Sequence, residues 1–166
     1  MQPNKNENTA NLDTRFIRPF LHGAKKVCRD MAGIEPLAQT PKPILTCFPV
    51  GDVASVMPMK SPQLIGQLCI SFTKLGISSL AKSLVGETVE DINELALDLA
   101  GEVTNMVTGV AKAKLEADGF DFDMARPVSY STEEMTRLNL KGTPRIVVPY
   151  EIATGHMFID LGFISR

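Results

Sequence analysis

No tryptophan occurs among the 166 residues, and there are only two tyrosines, two histidines and three cysteines. So few aromatics leave little material for a nucleic-acid stacking platform. His22 and His156 lie far apart in the chain, with no cysteine or carboxylate at ligand spacing, so no metal site of its own is expected. Cys28, Cys47 and Cys69 are odd in number and lack CxxC spacing, which points to buried thiols in a reducing compartment. No apolar run reaches the roughly 18 residues that a membrane span needs. The first residues are polar and show no apolar signal core, so no secretory leader is expected. Seventeen basic against nineteen acidic residues give a formal charge of −2, with no bulk attraction for nucleic acid or an anionic membrane. There is no GxGxxG after a strand, no GxxxxGK[ST] and no GxSxG. The expectation is a cytoplasmic protein with no cofactor of its own and no nucleic-acid or membrane partner.

What is present is 44% hydrophobic residues over a length typical of one domain, enough for a core without disulfides. Residues 1–12 lack apolar periodicity and are expected to form a flexible tail, leaving 13–166 as a single domain. Asp13 is placed to cap a first helix with the stripe Phe16, Ile17, Phe20, Leu21, Ala24, Val27 and Met31, ended by Gly33. Strands are expected over 44–48, 53–59 (with Pro58 at an edge or bulge) and 64–72. A short helix carries Ile77, Leu80, Ala81 and Leu84 and stops at Gly86. Thr88-Val-Glu-Asp91 resembles a capping box for a long helix reaching about Glu116. Its expected core stripe is Ile92, Leu95, Ala96, Leu99, Val103, Met106, Val110 and Ala113. Residues 120–130 alternate as a strand. Two further strands, 145–152 and 156–164, flank a hairpin loop with Gly155 expected at positive φ. This order predicts an α+β fold, with helices on one face of a mostly antiparallel sheet and a hint of duplication, a helix followed by strands occurring twice.

The long helix departs from what stability alone would select. Gly101, Thr104, Asn105, Thr108 and Gly109 are poor helix formers, and each interior glycine costs about 1 kcal/mol relative to alanine. Such departures concentrate at functional or tightly packed places. Asp98, Glu102, Asn105 and Gly109 fall at i, i+4, i+7 and i+11, one face away from the core, with Gly101 and Thr108 beside them. A carboxamide can orient a water, and orienting water is most of what a protein contributes to hydrolysing a phosphoryl group. Glu102 suits a cation on a partner better than a phosphate. An ordinary solvated face, with its glycines serving close packing, has the same spacing.

Asp98-Leu-Ala-Gly-Glu102-Val-Thr-Asn105-Met-Val-Thr-Gly109, with Pro127 following after 21 intervening residues, resembles the signature of the CheC/CheX/FliY phosphatases. The opening Phe16-Ile-Arg-Pro-Phe-Leu21 and Gly66-Gln-Leu-Cys-Ile-Ser-Phe72 are similar to the CheX type. Arg18 departs from that type, which often has asparagine there. The resemblance implies a CheC/CheX-like fold and removal of phosphate from the aspartyl phosphate of a CheY-like response regulator, in chemotaxis or related two-component signalling. By motif position it assigns Asn105 to the attacking water and Glu102 to the regulator's lysine, with Asp98, Gly101 and Gly109 in support. It places Mg²⁺ on the regulator. The first helix lacks ExxN, so one site is expected rather than two, and a homodimer is implied. The alternative is a CheX-like module that binds a receiver domain or dimerises without phosphatase activity.

Overall fold

The apolar stripe of the first helix buries as its spacing requires: Phe16, Phe20, Ala24 and Val27 are in the core, while Met31 is exposed. This helix, α1 (Thr14–Ala32), ends where Gly33 turns to φ +63°. The computed structural model describes residues 14–62, 64–141 and 145–165. The expected tail and Asp13 cap therefore lie outside the described residues.

After α1 come two short strands, β1 (Leu37–Ala38) and β2 (Lys42–Ile44), then the hairpin β3 (Val53–Lys60) and β4 (Leu64–Phe72). The strand expected over 44–48 is instead a loop that starts where β2 stops. Arg145 explains it: its guanidinium takes the carbonyls of Thr46 and Phe48, which a ladder would otherwise need. Helices α2 (Lys74–Val85) and α3 (Glu94–Ala117) follow, then β5 (Asp123–Met124), β6 (Val128–Tyr130), the short α4 (Thr132–Met135) and the hairpin β7 (Arg145–Ile152) with β8 (Gly155–Ser165). Among the described residues no helix is long and apolar enough to cross a membrane.

All pairings are antiparallel, in the order β1-β7-β8-β4-β3-β5, with β2 also on β7 and β6 also on β3. The region 120–130 is thus two short strands rather than one. Between them Ala125–Pro127 oppose Met57 and Pro58, one residue too many, so a bulge sits where Pro58 has no N–H to give. At the β7–β8 turn it is Ala153, not Gly155, that takes positive φ (52°). Gly155 is small for another reason, because a Cβ there would overlap the backbone of Gly76 at the start of α2.

The hint of duplication is a property of the topology. Leu37 and Asp123, which open β1 and β5, are 86 positions apart, as are Lys42 and Val128 in β2 and β6, and the positive-φ glycines Gly33 and Gly119. The hairpins repeat 91 positions apart, Ser55 opposite Ile70 and Ile146 opposite Leu161. The five extra residues fall in the segment holding α4. Each half's short strands pair with the other half's hairpin, so the sheet reads alike from either end.

The main core lies between the helices and the inner sheet face, around Leu68, Ile70, Ile159 and Leu161 from the two central strands. Helices α1 and α3 cross in close contact at Gly23, where a Cβ would stand 2.9 Å from the Val107 carbonyl oxygen. Of the methionines, Met57, Met59, Met135 and Met157 are buried, and Met106 and Met124 half-buried. Burial pushes the Cys28 thiol up to about 11 and that of Cys69 well above its ordinary value, so both stay protonated. On the outer face a smaller cluster, Ala54, Val56, Cys69, Met135 and Leu140, packs under the α4 segment. There the fully buried Arg145 donates to Asp160 at 2.8 and 3.0 Å.

Candidate functional site

Helix α3 starts later than the Thr88 capping box predicts. Asn93 is the cap, its Oδ1 accepting from the Ala96 N–H at 3.0 Å, and Glu94 stands in the first turn, where a negative charge is favoured. Thr88-Val-Glu-Asp91 is instead spent in the connection, Val89 buried and Asp91 paired with Lys74 at 3.0 Å. A full capping box does occur at Ser131 and Glu134, on the four-residue α4.

The buried face of α3 is Ala96, Leu99, Ala100, Val103, Thr104, Val107, Thr108, Ala111 and Leu115. Compared with the expected stripe it is turned by about a quarter of the helix circumference. Ala113 is exposed, and Met106 and Val110 are only half-buried. The physical reason is that small residues and threonines let α3 lie close to the sheet, and hydropathy undercounts both. The threonines bury without penalty because their hydroxyls are spent on the helix itself: Thr104 donates to the Ala100 carbonyl at 2.8 Å, and Thr108 to the carbonyls of Thr104 and Asn105 at 2.8 and 2.9 Å.

Asp98, Glu102, Asn105 and Gly109 are all exposed, and Gly101 is half-exposed beside them. Their side chains share one face as the spacing predicts; Thr108, expected at its border, is 4% exposed and belongs to the core. Among the described residues no hydrogen bond or ion pair engages the side chains of Asp98, Glu102 or Asn105. A Cβ on Gly101 would stand 3.2 Å from Ser129 Oγ, so β6 runs against α3 at the border of this face. Pro127, half-buried in the bulge, leads directly into that strand. Gly109 differs, since nothing lies within 4 Å of a Cβ built there. Among the described residues, its lack of a side chain serves no contact.

This geometry offers a carboxylate and a carboxamide one turn apart, both unspent and both facing outward. A carboxamide both donates and accepts, so it can hold a water in a chosen direction; a carboxylate can meet a cation. Neither is a strong nucleophile, and the face is open, so substrate and electrophile must come from outside. A cavity of about 480 Å³, lined by Val56, Ile65, Gln67, Leu138 and Leu140, lies across the sheet and shares no residue with this face. Sequence reasoning missed the contact of Ser129 and the burial of the two threonines. The threonine pair at i and i+4 was visible as a signal, but its direction around the helix was not.

The profile of the family described as chemotaxis phosphatase CheX matches residues 53–151. The chain is 25% identical over 125 residues to the CheY-P phosphatase CheX of Thermotoga maritima, covering 75% of this chain and 80% of that one. The crystal structure of chemotaxis protein CheX from Vibrio vulnificus superposes with a TM-score of 0.77 at 36% identity, over 90% of this chain and 99% of that one. The fold is also that of CheX in a CheX–CheY–BeF3–Mg²⁺ complex from Borrelia burgdorferi, with a TM-score of 0.72 at 23% identity over 89% and 97% of the two chains.

Proposed function

The chain belongs to the chemotaxis phosphatase CheX family, and we propose that it hydrolyses the aspartyl phosphate of a CheY-like response regulator. The observation that carries this reading is the open face of α3, where Glu102 and Asn105 stand exposed, one turn apart and without partners among the described residues. A relative named for action on phosphorylated CheY and a related fold seen bound to CheY support it.

In this reading the regulator brings the phosphorylated aspartate and the lysine beside it. The Asn105 carboxamide holds a water in line with the bond to be broken. Water oxygen attacks phosphorus, the bond from phosphorus to the aspartyl oxygen breaks, and the aspartate leaves as carboxylate with inorganic phosphate as the other product. Little covalent work falls to this chain, so placing the water accounts for most of its contribution. Glu102 meets the regulator's lysine and sets the approach, and Asp98 adds a second negative charge one turn earlier. Gly101 and Gly109 keep the face low. The Mg²⁺ belongs to the regulator, where it neutralises phosphoryl charge. We place this action in the cytoplasm, where such regulators work, and expect the chain to act as a homodimer joined at a sheet edge. Sedimentation velocity tests the dimer.

The decisive test follows the decay of a phosphorylated CheY-like receiver from the same cell, with Mg²⁺ present. Wild type is expected to accelerate it and Asn105→Ala to leave it at the spontaneous rate. Binding without acceleration by wild type would favour the docking module.

A further inference from the structure

Beneath the exposed face, one buried hydroxyl reaches the backbone of Asn105 itself. Thr108 Oγ1 donates to the Asn105 carbonyl at 2.9 Å as well as to that of Thr104 at 2.8 Å. Neighbouring core positions of α3 carry Ala100, Val103, Val107 and Ala111, so the helix buries well here without hydroxyls. A threonine at such a place contributes no more apolar burial than a valine would, and has the same shape. What it adds is one proton shared between the carbonyls of Thr104 and Asn105, the second belonging to the peptide unit that follows the Asn105 side chain. Back-bonding of this kind pulls a carbonyl toward the hydroxyl and tilts the local helix axis. The flanking Gly101 and Gly109 leave this stretch of helix easy to tilt, because neither contributes a side chain that would resist it.

We infer that Thr108 is a positioning residue for Asn105: its hydroxyl, held in the core, sets the orientation of the Asn105 peptide and hence the direction in which the carboxamide points. The inference rests on the phosphatase reading and deepens it. Because the carboxamide must hold water in line with phosphorus, a displacement of a few tenths of an ångström matters. A misplacement of about 1 Å costs on the order of a hundredfold in rate, so loss of this bond is expected to cost about three- to tenfold. Thr104 is the internal control. Its hydroxyl reaches the Ala100 carbonyl at 2.8 Å and not that of Asn105.

The test measures kcat and KM for the phosphorylated receiver with Thr108→Val, Thr108→Ser and Thr104→Val, alongside the ¹³C shift of the Asn105 carbonyl. Thr108→Ala, which removes the hydroxyl and raises helix propensity, is included in case valine disturbs folding. Thr108→Val is expected to lower kcat about three- to tenfold at unchanged KM and to move the Asn105 carbonyl resonance. Thr108→Ser should restore both, and Thr104→Val should leave kcat within about twofold because its bond lies a turn away. Wild-type kcat in Thr108→Val and Thr108→Ala would overturn the inference, as would a serine variant no better than valine. A wild-type chain that leaves receiver decay unchanged would sink the phosphatase reading and this inference with it, whereas failure of the Thr108 variants alone leaves that reading standing.

Discussion

The two halves of the molecule share one plan and spend it differently. At the 86-position offset that superimposes β1 on β5 and Gly33 on Gly119, α1 presents Phe16 where α3 presents Glu102, and Pro19 where α3 presents Asn105. Phe16 and Pro19 are buried. Phe16 sits in an aromatic cluster, its ring 4.8 Å from Phe122, 4.7 Å from Phe163 and 6.0 Å from Phe120. Phe120 and Phe122 come from the segment after α3, so the second half closes the helix face of the first. The corresponding positions after α1 are Ile34 and Pro36, and the face of α3 stays open. One copy of the plan holds the core together, and the other is free to carry polar residues that packing would not choose.

The outer sheet face shows the same division. Arg145 and Asp160 stand 91 positions after Ala54 and Cys69, so a buried ion pair in one half replaces a small apolar pair in the other. Burial pushes the Asp160 carboxyl up and Arg145 pulls it part of the way back.

The sharpest way to break this contrast is Asp160→Ala. It strands the buried guanidinium and loosens the loop that Arg145 holds through Thr46 and Phe48. A loss of about 3–5 kcal/mol of stability is expected in denaturant unfolding. Cys69→Ala, at the equivalent place, should cost clearly less because it leaves no charge uncompensated. Next comes Glu102→Ala, expected to lower kcat/KM for the phosphorylated receiver by about tenfold with the melting temperature unchanged, the loss of one partly desolvated charge pair. Unchanged turnover would remove Glu102 from the contact. The smallest effect is Gly109→Ala. With room for the methyl group, it should stabilise the chain by about 1 kcal/mol through helix propensity. If the low profile at Gly109 serves a docking partner, receiver affinity should fall at the same time. A stabilised variant with full affinity would leave the glycine unexplained.

Much of this was legible in the sequence, and the gaps have physical causes. Strong periodicity located α1, α2, the β3–β4 hairpin and the β7–β8 hairpin. The exposed face of α3 followed from the i, i+4, i+7, i+11 spacing of Asp98, Glu102, Asn105 and Gly109, because charged and carboxamide side chains have little reason to bury. The buried face was harder. Thr104 and Thr108 bond to their own helix, so they bury as apolar residues do while reading as polar. The start of α3 was misplaced because Thr88 and Asn93 are both good caps and only packing of the preceding segment decides between them. The strand expected over 44–48 failed for a similar reason. Its apolar residues fit a ladder, but a guanidinium from a hundred positions away takes the carbonyls, and no local pattern announces that. The duplication was only hinted at, since its halves agree in register and glycine placement rather than in side chains.

The central claim is that one helix face was kept for chemistry and its counterpart for packing. Receiver dephosphorylation and melting temperature, measured together for Asn105→Ala and Phe16→Ala, test it most directly. Asn105→Ala is expected to lose its acceleration of receiver decay and melt no lower than wild type. Phe16→Ala is expected to lose about 3–5 kcal/mol of stability and keep full turnover per folded molecule. An Asn105→Ala variant that melts early while the folded fraction still turns over, or a folded Phe16→Ala variant that loses turnover, would contradict the account.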